Sequence, residues 1–305
     1  MWIIGAFISA SLLGLYDACK KHSLRGNAVI PILFLNTLFC SLIFAGPIVF
    51  SYTGHIAPDS GAYVEPWTWE AHRYILLKAL IVLGSWILGY FAMAQLPLTI
   101  VGPVNATRPV MTLVGALLIF GEDLNAWQWA GVVMAIASFY LLSRSGRKEG
   151  IRFSHNRWIL FLVAAALLGA LSGLYDKFLM SAAEAGGAGL GRMSVQGWYN
   201  VYQCVMMAVV LAVVWWPRRH ASAPFRWRWS ILLISLFLTL ADMAYFYALT
   251  DPDAMISVVS MVRRGSVLIS FLCGALFFGE KNIRSKAIDL LLVVLSMACL
   301  WIGTY

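Results

Sequence analysis

Two adjacent arginines, Arg263 and Arg264, stand in the middle of the apolar run SVVSMVRRGSVLISFL. A guanidinium offers forked donors that match a carboxylate or a phosphate. In hydrocarbon such a charge costs roughly 2.5–3.5 kcal/mol or more unless it meets a partner or water, so it marks a pathway or a brace. Arg108 stands in a second apolar run, as do Lys78 and Lys177, and the acidic counterparts are Asp17, Asp176, Asp242 and Asp289. Arg263 and Arg108 are expected to face a cavity, with Arg264 pairing elsewhere. Asp242 reads as a counter-ion to Arg264, a proton-coupling carboxylate or a packed polar residue. Asp17 reads as an interfacial pair with Lys20 or Lys21 at i+3 and i+4, and Asp176 as its equivalent. Asn105, Tyr90, Tyr245, Trp86, Asn36 and Gln203 are the further polar candidates for a binding cavity. The competing reading makes the arginines structural, tied to buried carboxylates or unwound carbonyls.

These groups need elements that hold them within a bilayer. Hydrophobic residues make up 61% of the chain and charged ones 12%, with a mean hydropathy of +0.80, so there is too little polar surface to coat a water-soluble globule. Apolar stretches of roughly 20 residues recur along the whole length. The pattern predicts an all-α polytopic membrane protein with ten spans, at about 2–19, 29–52, 74–93, 98–120, 126–143, 158–180, 193–216, 230–250, 253–279 and 286–303. The N-terminus lacks a basic leader region and reads as the first span, with the mature chain beginning at Met1. The 5 cysteines lie mostly inside spans with no ligand spacing, so neither disulfide, metal nor cofactor is expected.

Alternate loops then fall on opposite faces. One face collects Lys20, Lys21 and Arg25, then Arg144, Arg147, Lys148, Arg152 and Arg157, then Arg218, Arg219, Arg226 and Arg228, then Lys281, Arg284 and Lys286; the other has only Arg73 and Arg192. By the positive-inside rule the basic loops are cytoplasmic and both termini lie outside. The net charge of +8 is thereby a topology signal, and no nucleic-acid partner is called for.

The chain is also written twice. LLGLYD (12–17) returns as LSGLYD (171–176), YFAMAQLP (90–97) as YFYALTDP (245–252), and GALLIFGE (115–122) as GALFFGE (274–280). The reading is a first five-helix repeat over 1–145, a basic linker over 146–157 and a second repeat over 158–305. An odd number of spans per half makes the second copy enter upside down, an inverted repeat as in many secondary transporters. Arg108 and Arg263 lie at matched places, each eleven residues beyond a matched proline, Pro97 and Pro252. That is roughly 16 Å into the helix at 1.5 Å per residue. Pro109 follows the first and Gly265 the arginine pair, and matched interruptions of this kind point to a transporter's binding site.

With ten helices, a five-helix repeat, and FGE closing the fourth helix of each half (Phe120–Glu122, Phe278–Glu280), the chain resembles the EamA-type members of the drug/metabolite transporter superfamily from Ile3 to Gly303. The resemblance implies alternating access between two halves. It implies a small-molecule substrate, which the forked arginine donors make anionic or zwitterionic, an amino acid, organic acid or phosphorylated metabolite; with no HExxH, GxSxG or P-loop motif, no enzyme is expected. Export is the direction that it favours, with protons as a candidate coupling ion and a monomer or homodimer as the working unit. A bacterial inner membrane is the default location. Phosphate-handling relatives look similar in carrying basic residues in the penultimate helix. The alternative is a flippase for a lipid or lipid-carrier phosphate; behind it stand an intramembrane enzyme, for which the paired YD motifs lack a GxGD partner, and a membrane scaffold.

Overall fold

The computed structural model describes residues 2–66, 68–108, 110, 111, 114, 125–147, 151, 153–180, 186–220, 223–249, 262–280 and 283–303. All regular structure among them is helical: α1 (Trp2–Leu24), α2 (Val29–Tyr52), α3 (Trp69–Gln95), α4 (Leu98–Ala106), α5 (Ala126–Arg147), α6 (Arg157–Met180), α7 (Arg192–Val210), α8 (Ser230–Leu249), α9 (Ser266–Phe277) and α10 (Ile283–Ile302). Six of the described helices are long and apolar enough to cross a membrane: Val29–Tyr52, Trp69–Gln95, Ala126–Gly146, Arg157–Asp176, Arg192–Arg218 and Ile283–Ile302. The expected ends 98–120 and 253–279 fall partly outside the described residues, as do Pro109, Glu122, Lys281 and the side chain of Lys177.

Where helix ends differ from the hydropathy reading, a local cause is visible. The α3 helix starts five residues before 74, because Thr68 caps it by accepting from the Ala71 amide (3.4 Å) and Glu70 sits in its first turn. At the far end of α7 the chain widens into a π turn over Leu211–Trp215 immediately before Pro217, whose ring and missing N–H disrupt a regular turn. The first helix runs past 19 to Leu24 and carries Lys20 and Lys21 with it. Neither is a loop cation. Lys21 donates to the Met93 and Leu96 carbonyls (2.7 and 2.5 Å) at the end of α3, and Lys20 is buried against aromatic rings. Lys286, also counted in a loop, is fully buried in α10 and donates to Thr99 Oγ1 (2.8 Å).

The helices pack mainly in pairs: α1 on α8, α3 on α6, α2 on α7, α5 on α10, and α4 on α9. Apolar side chains from α1 to α3 and α6 to α8 merge into the largest core cluster, around Ile32, Leu33, Leu83, Leu162, Met207 and Ile234. Two close approaches rest on glycine. At Gly14 a Cβ would stand 2.5 Å from Ile269, and at Gly102 it would stand 2.9 Å from Val267 Cγ2, where α4 crosses α9. At Gly173, the repeat counterpart of Gly14, a Cβ meets nothing within 4 Å.

Loops gather at two ends. At one, Asn27 exchanges hydrogen bonds with the Arg226 backbone (2.7 and 2.9 Å), Ser23 meets Ser230 (2.6 Å) and Ser145 meets Ser285 (2.6 Å). At the other, the Glu65 amide donates to Ser194 (2.8 Å) and Asn125 donates to the Gly303 carbonyl (2.5 Å). The first end holds the basic connections and the second the acidic one after α2.

Candidate functional site

Two interrupted helices build the centre. The α4 helix stops at Ala106, and Thr107 makes a tight turn, its amide reaching the Val104 carbonyl (3.2 Å), so that Arg108 emerges beside the break. In the second half Gly265 turns in the same way, its amide on the Val262 carbonyl (2.9 Å), separating Arg263 and Arg264 from α9. A side chain at 265 would crowd that carbonyl, since a Cβ there lies 2.8 Å from it. Broken helices at matched positions place polar groups and free backbone next to a cavity.

That cavity encloses about 420 Å³ and is lined by α1, α3, α4, α6, α7, α8 and α9. Of the residues singled out in the sequence it brings together Arg108, Arg263, Arg264, Asn105, Trp86, Tyr245, Asp242, Asp17 and Asp176. Three do not line it. Tyr90 is buried behind Lys20, whose ammonium lies 4.1 Å from the ring centre. Asn36 and Gln203 are buried between helices, apart from the lining. Conversely, Lys20 and Lys78 belong to it. Lys20 lay four residues after Tyr16 on the same helix face, and its Nζ is 3.4 Å from the Tyr16 hydroxyl; that spacing was the available signal.

The charges sort into pairs and a remainder. Lys78 pairs with Asp176, and its ammonium also lies 5.0 Å from the Tyr199 ring centre. Arg263 pairs with Asp242 and stacks over Tyr245 at 4.4 Å; this corrects the expectation that Arg264 holds the counter-ion. Gln196 adds a longer hydrogen bond to the other Asp242 oxygen (3.4 Å). Arg264 is exposed to the cavity, and no carboxylate among the described residues pairs with it. Arg108 donates to Asn105 Oδ1 (3.0 Å) and lies flat against α6, where a Cβ on Gly169 would come within 2.9 Å of its guanidinium. The expected direct pairing of Asp17 with Lys20 or Lys21 is not formed, because Lys21 is taken by carbonyls and Lys20 by rings; Asp17 instead lies within electrostatic reach of Lys20 and Arg108.

Among the described residues, five cationic and three anionic side chains line one cavity, two more positive than negative. Arg264 also feels like charge from Arg108 and Arg263. A cluster of this sign focuses an attractive field on an anion. Beneath it, toward the basic loops, Tyr16, Lys20 and Met93 close the floor, each less than a tenth exposed, with Tyr90 buried behind them.

A second charged cluster ties the halves together at the basic end. Pro97 cannot cap α4, and Glu280 does so from the other half: its oxygens accept from the Leu98 and Thr99 amides (2.6 and 2.8 Å) and from the Thr99 hydroxyl. A carboxylate there satisfies orphan donors and meets the positive end of the helix dipole. The glutamate of the FGE motif thereby acquires a structural role.

Among curated proteins, no sequence matches this chain significantly. A solved crystal structure, described only as that of a protein, is similar at a TM-score of 0.60 and 14% sequence identity, covering 98% of this chain and 97% of that one. The likeness concerns the fold. A family profile described as the EamA-like transporter family matches residues 1–144. Over that first part, residues 1–144, the chain matches the EamA-like transporters, a family of the drug/metabolite transporter superfamily.

Proposed function

We propose that the protein is a secondary transporter that moves a small anionic or zwitterionic metabolite by alternating access, with the substrate's anionic group held by Arg264 and Arg108. The observation that carries this reading is the cavity's surplus of two positive charges, with Arg264 lacking a carboxylate partner among the described residues. The Arg263–Asp242 pair is the second anchor, able to exchange its carboxylate for that of a substrate.

Two inverted five-helix repeats, 1–145 and 158–305 joined by the linker 146–157, fit the packing. Exchanging α1 to α5 with α6 to α10 turns the α1–α8 contact into α6–α3, and returns α2–α7, α4–α9 and α5–α10 to themselves. The buried floor at the basic end and the Glu280 cap describe a state closed toward the basic loops. With those loops cytoplasmic, in a bacterial inner membrane with both termini outside, that state is closed inward. Export is the direction consistent with the resemblance.

The test is protection against thermal unfolding of the purified protein by amino acids, organic acids, inorganic phosphate, sugar phosphates and, as controls, cations and phospholipid. A solute at about 100 times its dissociation constant stabilises by roughly 2.7 kcal/mol. Protection by a soluble anion, lost in Arg264→Ala and Arg108→Ala proteins that remain folded, supports the reading. Protection by phospholipid alone transfers the site to a flippase, and indifference to every anion refutes it.

A further inference from the structure

We propose that Asp242 is the proton-coupling carboxylate of this transporter, and that a hydrated file of buried polar side chains between α2, α7 and α8 carries its proton to and from the basic end. The observation is a set of hydrogen-bonding groups that packing has buried without partners. On α8, Ser235, Thr239 and Asp242 follow at i, i+4 and i+7 and share one face. On α7, Gln196, Asn200 and Gln203 repeat the same spacing. Asn36 and Cys40 stand at i and i+4 on α2, which packs against both other helices. Apart from Asp242, each is at most 6% exposed.

Among the described residues, Asn36 Nδ2, Gln196 Oε1 and both amide atoms of Gln203 meet no hydrogen-bond partner, and Ser235 Oγ and Thr239 Oγ1 meet only the weakly bonding Cys40 thiol. Packing polar side chains on three facing stripes and leaving so many atoms unmatched is not how a dry helix interface is built. Buried polar groups of this kind are satisfied by ordered water, each water taking two to four such partners. The stripes are continuous. The Gln196 side-chain amide reaches Asp242 (3.4 Å), the Asn200 side-chain amide donates to the backbone carbonyl of Gln196 (2.8 Å), and the Cys40 thiol sits 3.9 Å from Asn36 Oδ1 and close to the Ser235 and Thr239 hydroxyls. From Asp242 to Ser235 the file descends seven residues, roughly 10 Å at 1.5 Å per residue. Ser235 is then five residues from the start of α8, at the end where Ser230 meets Ser23.

At its upper end the file opens onto the charges of the cavity. Asp242 faces Arg263 ahead of α9, Tyr199 and Gln196 on α7, and Cys40 on α2; Tyr245 lies on its own helix, and Asp17 and Lys20 of α1 and the Lys78–Asp176 pair complete the ring. A proton delivered by water onto an Asp242 oxygen neutralises the carboxylate and frees the Arg263 guanidinium. Arg263 then turns to the substrate's anion beside Arg264, and the proton returns to water when the anion leaves. The coupling step rests on the anion reading above, whereas the protonation and its route do not.

The experiment therefore uses no transported solute: infrared difference spectra of the full-length protein in lipid vesicles, recorded on acidification in light and heavy water. The expected result is a protonated-carboxyl band that is retained in Asp17→Asn and lost in Asp242→Asn. It is also lost in the charge-balanced Asp242→Asn, Arg263→Gln double variant, which removes both members of the ion pair. In Ser235→Ala, Thr239→Val the band remains, but its shift in heavy water is slower by about tenfold or more, the factor that corresponds to roughly 1.4 kcal/mol of barrier. Absence of an Asp242 band overturns the assignment of the proton. A band that exchanges equally fast in the hydroxyl-deleted variant overturns the route.

Discussion

Replacing each of the two neighbouring arginines by glutamine should have opposite effects on stability and the same effect on ligand response. Arg263 is in an ion pair whose side chains are 22% and 18% exposed. Breaking a fully buried pair costs about 3–5 kcal/mol and an exposed one about 0–1. The intermediate exposure puts Arg263→Gln at about 1–3 kcal/mol of destabilisation, because Asp242 is left without its cation. Among the described residues Arg264 has no such partner, and it stands among like charges. Removing it relieves repulsion, so Arg264→Gln should unfold at the wild-type temperature or somewhat above it. Both variants should lose anion protection, since a charge-assisted hydrogen bond is worth roughly 1.5–3 kcal/mol, or about ten- to hundredfold in affinity. Thermal unfolding of the three proteins in one detergent, with and without the protecting anion, reads both quantities. If Arg264→Gln is destabilised as much as Arg263→Gln, the reasoning that separates the two charges is wrong.

Four further outcomes follow from the surroundings of single residues. Glu280→Ala should cost about 0.5–2 kcal/mol, the usual value of a lost N-terminal cap, in thermal or denaturant unfolding. At the repeat-matched glycines, Gly14→Ala should be destabilising by about 1–3 kcal/mol through overpacking on Ile269, a contact that a Cβ would meet at 2.5 Å. Gly173→Ala, with nothing within 4 Å of its Cβ, should gain up to about 1 kcal/mol of helix propensity. Gly169→Ala should leave the protein folded in size-exclusion and circular-dichroism measurements while weakening anion protection, because the new methyl displaces the Arg108 guanidinium.

Much of this arrangement was legible from hydropathy and repetition. The second helix runs over 29–52 as expected, and the pairing of Arg108 with Arg263 by register placed both on one cavity. What escaped were charges hidden by side-chain stems and aromatic faces. Lys20 and Lys21 read as the start of a loop because a hydropathy window sees only charge. It does not see that one ammonium lies over a ring and the other on two carbonyls. The partner of Asp242 was misjudged for a related reason. Sequence distance does not distinguish Arg263 from Arg264, and the turn at Gly265 decides which of them reaches α8. Asn36 and Gln203 were recognised as unusual polar residues, but their placement behind the cavity depends on how α2 and α7 rotate against each other, which a polar residue type does not encode.

The way the helices pair has a bearing on how the chain is made. Every principal pair joins one of α1 to α5 with one of α6 to α10, so the two halves of the chain are interleaved. When α5 leaves the ribosome, α1 to α5 have been made but their chief partners have not yet been synthesised. Assembly must then wait for α6 to α10, with Glu280 completing α4 only after α9 has been made. Nascent chains stalled after about residue 145 should accordingly span the bilayer yet remain open to proteolysis and to lipid, and they should acquire native resistance only when the final helices arrive.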